Sequence, residues 1–189
     1  CRASVITYGS RGDVRISGLA LDELARPRFR VDTPWGAADV ELSASGAHMA
    51  ANAAAAIDVA GVIEGRIEPA VAALRSAAVS GMRMQIDRTA SGAIVVNDAY
   101  NANPDSMRAA LQAVGGMAAT RRIAVLGAMG ELDDPVAGHR RVADDAASHG
   151  IEIVAVGTEL YGVDAVDDPA AVSAVLGPLG PGDVVLVKA

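Results

Sequence analysis

From residue 93 to the end of the chain, short apolar runs alternate with longer amphipathic ones. No other feature of the sequence constrains the fold as much. Ala93–Val96, Arg122–Leu126, Ile151–Val156 and Val184–Val187 read as strands, and Pro104–Met117, Val136–His149 and Ala170–Leu176 as helices. The strand runs are apolar throughout, which predicts strands buried on both faces. Parallel strands joined by helical crossovers meet that demand. The pattern therefore predicts a Rossmann-like, doubly wound α/β domain, in which ligands sit at the carboxyl ends of the strands. Pro104 falls in the first turn of its helix, where a missing N–H costs nothing. Gly127 and Gly150 close their elements.

The first half has a different texture. Ser4–Tyr8 reads as a strand ended by Gly9-Ser10-Arg11-Gly12, and Val14–Leu21 and Phe29–Thr33 as further strands. Pro34-Trp35-Gly36 reads as a turn from which Ala38–Leu42 returns antiparallel. After Gly46 the sequence becomes alanine-rich. His48–Ile63 has strong helical propensity and small side chains suited to close packing. A second helix is expected over Ile67–Ala78, with Val71 and Leu74 inward and Ser80-Gly81 as its stop. A domain boundary is expected near Met84, giving residues 1–84 and 85–189.

Aromatic residues make up only 3% of the 189, so the cores must be built from Ala, Val, Leu and Ile. A net charge of −7 argues against non-specific nucleic-acid binding, which needs basic patches. The one cysteine, Cys1, excludes an internal disulfide. No apolar run approaches the ~18–20 residues of a membrane span, so a cytoplasmic protein is expected. The chain opens at Cys1 within a strand-like segment, from which an N-terminal truncation is expected.

The densest polar cluster is Asn97–Met107, N-D-A-Y-N-A-N-P-D-S-M, where an apolar strand hands over to a helix. Asp98 at the strand end can accept hydrogen bonds from a ribose diol, Tyr100 can stack on a base, and Asn101 or Asn103 can read amide-like edges. Asp98 is expected to face the loop and to contribute little to the core. A second reading has Asn103 or Asp105 capping the helix and Asn101 taking a left-handed turn. The two readings are compatible. His48, His139 and His149 lack the spacing of a zinc site. The acidic group Glu131, Asp133, Asp134 reads as a solvated loop or a Mg²⁺-attracting one. Gly127 and Gly130 do not form a dinucleotide-binding G-x-G-x-x-G.

The string D-A-Y-N-A-N-P-D-S-M (Asp98–Met107) resembles the signature that opens the C-terminal domain of the Mur ligases. Within that family it is similar to the branch that adds D-alanyl-D-alanine; a sister branch carries a histidine-containing variant of this loop. V-L-G-A-M-G-E-L (Val125–Leu132) is similar to the family's V-L-G-x-M-x-E-L, and His139 falls where the family has a histidine. V-L-V-K-A (Val185–Ala189) resembles the start of a terminal V-K-[GA]-S-R element. G-A-H-M-A-A-N-A-A-A-A (Gly46–Ala56) is similar to a G-x-H-N-x-x-N-A-x-A-A helix start. Met49 and Ala128 depart from the family, which usually has Asn and Asp there.

The resemblance implies roles residue by residue. Asn52 would approach the adenine, Arg83 would reach the ATP phosphates from the domain junction, and Asp98 would hold the ribose, with Tyr100 and Asn101 beside it. Asn103 would lie toward the substrate. It also implies ATP and Mg²⁺ as cofactors, and UDP-N-acetylmuramoyl-tripeptide and D-alanyl-D-alanine as reaction partners in peptidoglycan synthesis. Residues 1–84 would be the tail of a P-loop-type central ATPase domain. The chain itself has no G-x-x-x-x-G-K-[ST], and its single lysine, Lys188, stands in the last strand without such a context. The phosphate-gripping loop and the metal ligands would thus lie upstream, and the chain alone is expected to be inactive. Two alternatives remain: a non-catalytic nucleotide- or small-ligand-binding α/β module, and a related amide ligase of the polyglutamate-adding type.

Overall fold

A computed structural model describes residues 5–9, 11–77, 81–130 and 132–189. The chain divides into two compact units, Cys1–Ala78 and Val79–Ala189. Arg83 and Met84, at the expected boundary, fall within the second unit.

The first unit is a four-stranded sheet with two helices. β1 (Tyr8–Gly9) runs parallel to β2 (Val14–Leu21), and β3 (Pro27–Thr33) and β4 (Gly36–Glu41) follow antiparallel. Alternation sets the faces of β3. Phe29 and Val31 are buried, while Arg28 and Arg30 stand outside and face Glu41 and Asp39 of β4 across the sheet. The strand expected over Ser4–Tyr8 shrinks to the pair Tyr8–Gly9, and Ser4 and Ser10 lie outside the described residues. Its shortness has a local cause. The Asp13 carboxylate takes both the Thr7 N–H and the Thr7 hydroxyl, at 2.9 Å each, so that N–H is not available to a ladder.

α1 (His48–Glu64) packs on this sheet through Ala50, Ala53, Ala54, Ile57 and Gly61, a helical stripe of small side chains. At Gly61 even a Cβ would run into the Trp35 ring. Gly65, left-handed at φ 69°, closes the helix. α2 (Glu68–Leu74) is shorter than expected, with Val71 buried and Leu74 packed against the core; Ala78 and Ser80, at the expected helix end, lie outside the described residues.

The second unit is a six-stranded sheet in the order β5-β6-β10-β7-β8-β9. β6 (Ile94–Asn97), β7 (Arg121–Leu126), β8 (Glu152–Val156), β9 (Ala165–Val166) and β10 (Asp183–Lys188) are parallel. β5 (Gln85–Arg88) is an antiparallel edge. α3 (Pro104–Gly115) and α4 (Pro135–Ser148) contact each other and the sheet. Val172 and Leu176 of α5 (Val172–Leu176), which follows a 3-10 turn at Pro169–Ala171, pack on Ile123, Val125, Val154 and Val185. The predicted doubly wound fold is therefore present. The last strand in sequence lies inside the sheet between β6 and β7, so its carboxyl end meets the loop that follows β6. No helix among the described residues is long and apolar enough to cross a membrane.

Candidate functional site

The parallel register pairs Val187 of β10 with Asn97 of β6, so the next residues, Lys188 and Asp98, emerge side by side at the carboxyl end of the sheet. Lys188 is 2% exposed. Its ammonium forms an ion pair with Asp98 Oδ2 and donates to the carbonyl oxygens of Asp98, at 3.3 Å, and Asn101, at 2.9 Å. The other carboxylate oxygen of Asp98 accepts from the Met84 N–H at 2.9 Å. The Asp98 N–H donates to Val187 O at 2.9 Å. Asp98 is thus no loosely placed loop carboxylate. Its side chain is 13% exposed and compensates a buried cation, which corrects the expectation that it contributes little to the core.

The same loop holds the segment before β5. The Tyr100 N–H donates to Met82 O at 3.1 Å. The Arg83 guanidinium lies over the Tyr100 ring, 3.9 Å from its centroid, a cation–π arrangement. Met82 and Met84, on either side of Arg83, have φ of 60° and 48°. Left-handed conformations of non-glycine residues cost of order 1–3 kcal/mol each and persist where surrounding contacts over-determine them. Here the contacts are the two hydrogen bonds and the stack. They aim Arg83 at Tyr100, which keeps more than half of its surface exposed.

Arg83, Asp98, Tyr100 and Asn101 therefore converge. The Asn101 side-chain oxygen accepts from the Ala102 N–H at 2.8 Å, and Asn101 does not have the positive φ of a left-handed turn. Asn103 caps α3. Its Oδ1 accepts from the Ser106 N–H at 2.9 Å, and its own N–H donates to the Ser106 hydroxyl at 3.1 Å. Asn52 lies in the first unit, exposed on α1, with its amide toward the Met49 sulfur at 3.6 Å.

Beside this cluster, the loop after β7 is tied down by two buried rings. His139, fully buried on α4, accepts the Met129 N–H at Nε2 (2.9 Å), so Nδ1 carries the proton and donates to Pro135 O at 2.6 Å. The neutral tautomer satisfies both nitrogens. Tyr161 meets His139 edge-on at 4.8 Å and donates its hydroxyl to Gly127 O at 2.7 Å. Burial pushes the Tyr161 phenol far above its ordinary value. Of the acidic group, Asp134 caps α4 by accepting the Ala137 N–H at 2.9 Å, and Glu131 lies outside the described residues. No group of His, Cys, Asp and Glu side chains among the described residues is placed to hold a metal ion.

Tyr161 carries no motif, and the motif that contains Lys188 gives the lysine no role in this region. A signal for the lysine did exist. A charged residue ending an otherwise apolar central strand needs a partner at that strand's end.

An open, largely parallel sheet with a polar and aromatic cluster at the carboxyl ends of its central strands is an α/β domain of the doubly wound class, the class in which ligands sit at that edge. Residues 82–189 match the family model described as Mur ligase, glutamate ligase domain, and the chain belongs to the Mur ligase family. It is 39% identical to the UDP-N-acetylmuramoyl-tripeptide–D-alanyl-D-alanine ligase of Mycobacterium tuberculosis, over 97% of this chain and 43% of that protein. Among solved structures it is similar to MurF from Acinetobacter baumannii, with a TM-score of 0.84 and 29% identity over 97% of this chain and 43% of that one. The fold is also that of the Thermotoga maritima MurF ligase, solved in complex with ADP (TM-score 0.76, 21% identity, 97% and 44% covered). The chain thus spans less than half the length of the relatives it matches.

Proposed function

We propose that this chain is part of an ATP-dependent ligase that joins D-alanyl-D-alanine to UDP-N-acetylmuramoyl-tripeptide in peptidoglycan precursor synthesis. The observation that carries the reading is the identity with such a ligase over nearly the whole chain, coupled with the convergence of Arg83, Asp98 and Tyr100 at the carboxyl end of the sheet.

The residues fit part of a nucleotide. Each Asp98 oxygen has one protein donor and so keeps a lone pair with which to accept from a ribose hydroxyl. Tyr100 offers an exposed ring to a base, Arg83 a cation to phosphate, and Asn101 lies beside them. Asn52, from the first unit, is assigned to the adenine, and Asn103 to the substrate side of the loop. These residues do not supply the phosphate grip. The only lysine in the chain is buried with every ammonium N–H committed to the loop, so none is left for a γ-phosphate.

In the proposed reaction ATP, with Mg²⁺, supplies the phosphoryl group that activates the tripeptide's terminal carboxylate. The dipeptide amine then attacks the activated carbonyl, an amide forms, and phosphate leaves. This chain's part is to bind and orient: Asp98 and Tyr100 fix the nucleoside, and Arg83 neutralises phosphate charge. Cytoplasmic action is part of the proposal, since the nucleotide-linked substrate is made there.

Mass spectrometry of the product tests the reading. The intact ligase carrying this chain should add D-alanyl-D-alanine to UDP-N-acetylmuramoyl-tripeptide only when ATP and Mg²⁺ are present. Residues 1–189 alone should release no phosphate above a protein-free control. Turnover by the isolated chain, or incorporation of glutamate in place of the dipeptide, would overturn it.

A further inference from the structure

We propose that Lys188 is a positioning residue for the nucleotide loop: its ammonium fixes the conformation of residues 98–101 and, through Asp98, of the segment that presents Arg83. The loop's role in binding nucleotide rests on the function proposed above; the hold of Lys188 on the loop does not.

The geometry is specific. An ammonium has three N–H donors, and all those of Lys188 go to one loop, to Asp98 Oδ2, Asp98 O and Asn101 O. Two of the acceptors are backbone carbonyls on either side of Tyr100, so the lysine fixes the direction in which that ring leaves the chain. The carboxylate it orients then accepts the Met84 N–H from its other oxygen. Met84 and Met82 are the two left-handed residues around Arg83, and Met82 is itself bonded to Tyr100. One buried cation thereby connects the end of β10 to the loop after β6 and to the segment before β5. Few other groups could do this. A bare carbonyl cluster would leave several acceptors unpaired away from water. An arginine would bring a larger planar fork into a space that fits a compact ammonium. Lys188 is too buried to meet substrate, and its effect is exerted through Asp98, Tyr100 and Arg83.

The test separates positioning from folding by changing Lys188 in an Asp98→Asn background, where no unpaired carboxylate remains to destabilise the fold. The 189-residue chain carrying Asp98→Asn is compared with Asp98→Asn/Lys188→Met. NMR reads the ring-current shift that Tyr100 places on the Arg83 side chain, and the exchange rate of the Tyr100 amide. Titration with ADP reads binding. Adding Lys188→Met should abolish the Arg83 shift, speed Tyr100 amide exchange about tenfold and weaken ADP about tenfold. The urea midpoint should move by less than about 1 M from that of Asp98→Asn, because the change frees two carbonyls but also removes a buried cation that has lost its counter-charge. An unchanged Arg83 shift and unchanged Tyr100 exchange would overturn the proposal. Loss of cooperative unfolding in the double variant would also overturn it, by making Lys188 a folding residue. If the unmodified chain fails to bind ADP, the nucleotide reading of the loop falls, while the two ligand-free readouts still decide the role of Lys188.

Discussion

Replacing Asp98 with alanine removes the carboxylate that Lys188 faces and leaves an ammonium 2% exposed with only two carbonyl partners. Removing one partner of a buried ion pair costs about 3–5 kcal/mol, because the remaining charge is uncompensated. The Met84 N–H loses its acceptor as well, which adds about 1 kcal/mol. Part of this is recovered if the loop opens and hydrates the lysine, so a net loss of about 3–4 kcal/mol in the second unit is expected. With a urea slope of about 2 kcal/mol per molar, the midpoint should fall by about 1.5–2 M. Asparagine keeps a single acceptor oxygen, which can serve Lys188 or the Met84 N–H but not both, so Asp98→Asn should cost less than Asp98→Ala while still losing one of these bonds and the charge. The assay is urea unfolding of the 189-residue chain, followed by signals from the second unit so that the first does not mask them. A loss below about 0.5 kcal/mol for Asp98→Ala would place the change in the range of surface substitutions and refute the buried pair.

Further expectations concern other parts of the second unit. Tyr161→Phe removes the donor to Gly127 O and should cost about 1–2 kcal/mol by urea unfolding. The phenol is held protonated in the fold, so its stabilising contribution is complete below its ordinary value of 10.0 and declines as pH rises above it. Tyr161→Phe should therefore flatten the alkaline fall in stability, and identical pH profiles would refute this. Asn103→Ala deletes the α3 cap and should cost about 1 kcal/mol; no loss would mean the cap is not formed in solution. A chain beginning at Val79 should unfold cooperatively by itself, since Met84 is buried in the second unit and β5 is an edge strand of its sheet, whereas a molten product would show that it needs the first unit.

Much of this was legible in the sequence where one physical demand dominates. Ile123–Leu126 and Val184–Leu186 are buried in a central sheet and read as strands because nothing else accommodates runs so apolar. β5 and β9 were not legible. Gln85–Arg88 is an exposed edge with only Ile86 partly inward, and Ala165–Val166 is two residues long, so neither has a hydrophobic period. In the site, Arg83, Asp98, Tyr100 and Asn101 could be singled out by residue type and resemblance. Their mutual contacts could not, because these depend on the register of β10 against β6, a pairing between segments some ninety residues apart. The same long-range pairing hid the role of Lys188, whose motif places it at the end of a strand but does not name its partner. The contacts of His139 were not legible either, because its partners, the Met129 N–H and the Tyr161 ring, come from two different loops.

If the loop after β6 holds the nucleotide, a change at Asp98 should act on ATP and not on the dipeptide. The most direct measurement is the pair of Michaelis constants, for ATP and for D-alanyl-D-alanine, of the intact ligase carrying Asp98→Asn. This variant retains a neutral acceptor but loses the charge-assisted hydrogen bond, worth about 1.5 kcal/mol or more. The constant for ATP should rise about tenfold while that for the dipeptide is unchanged. A rise for the dipeptide with no change for ATP would contradict this and assign the loop to the substrate instead.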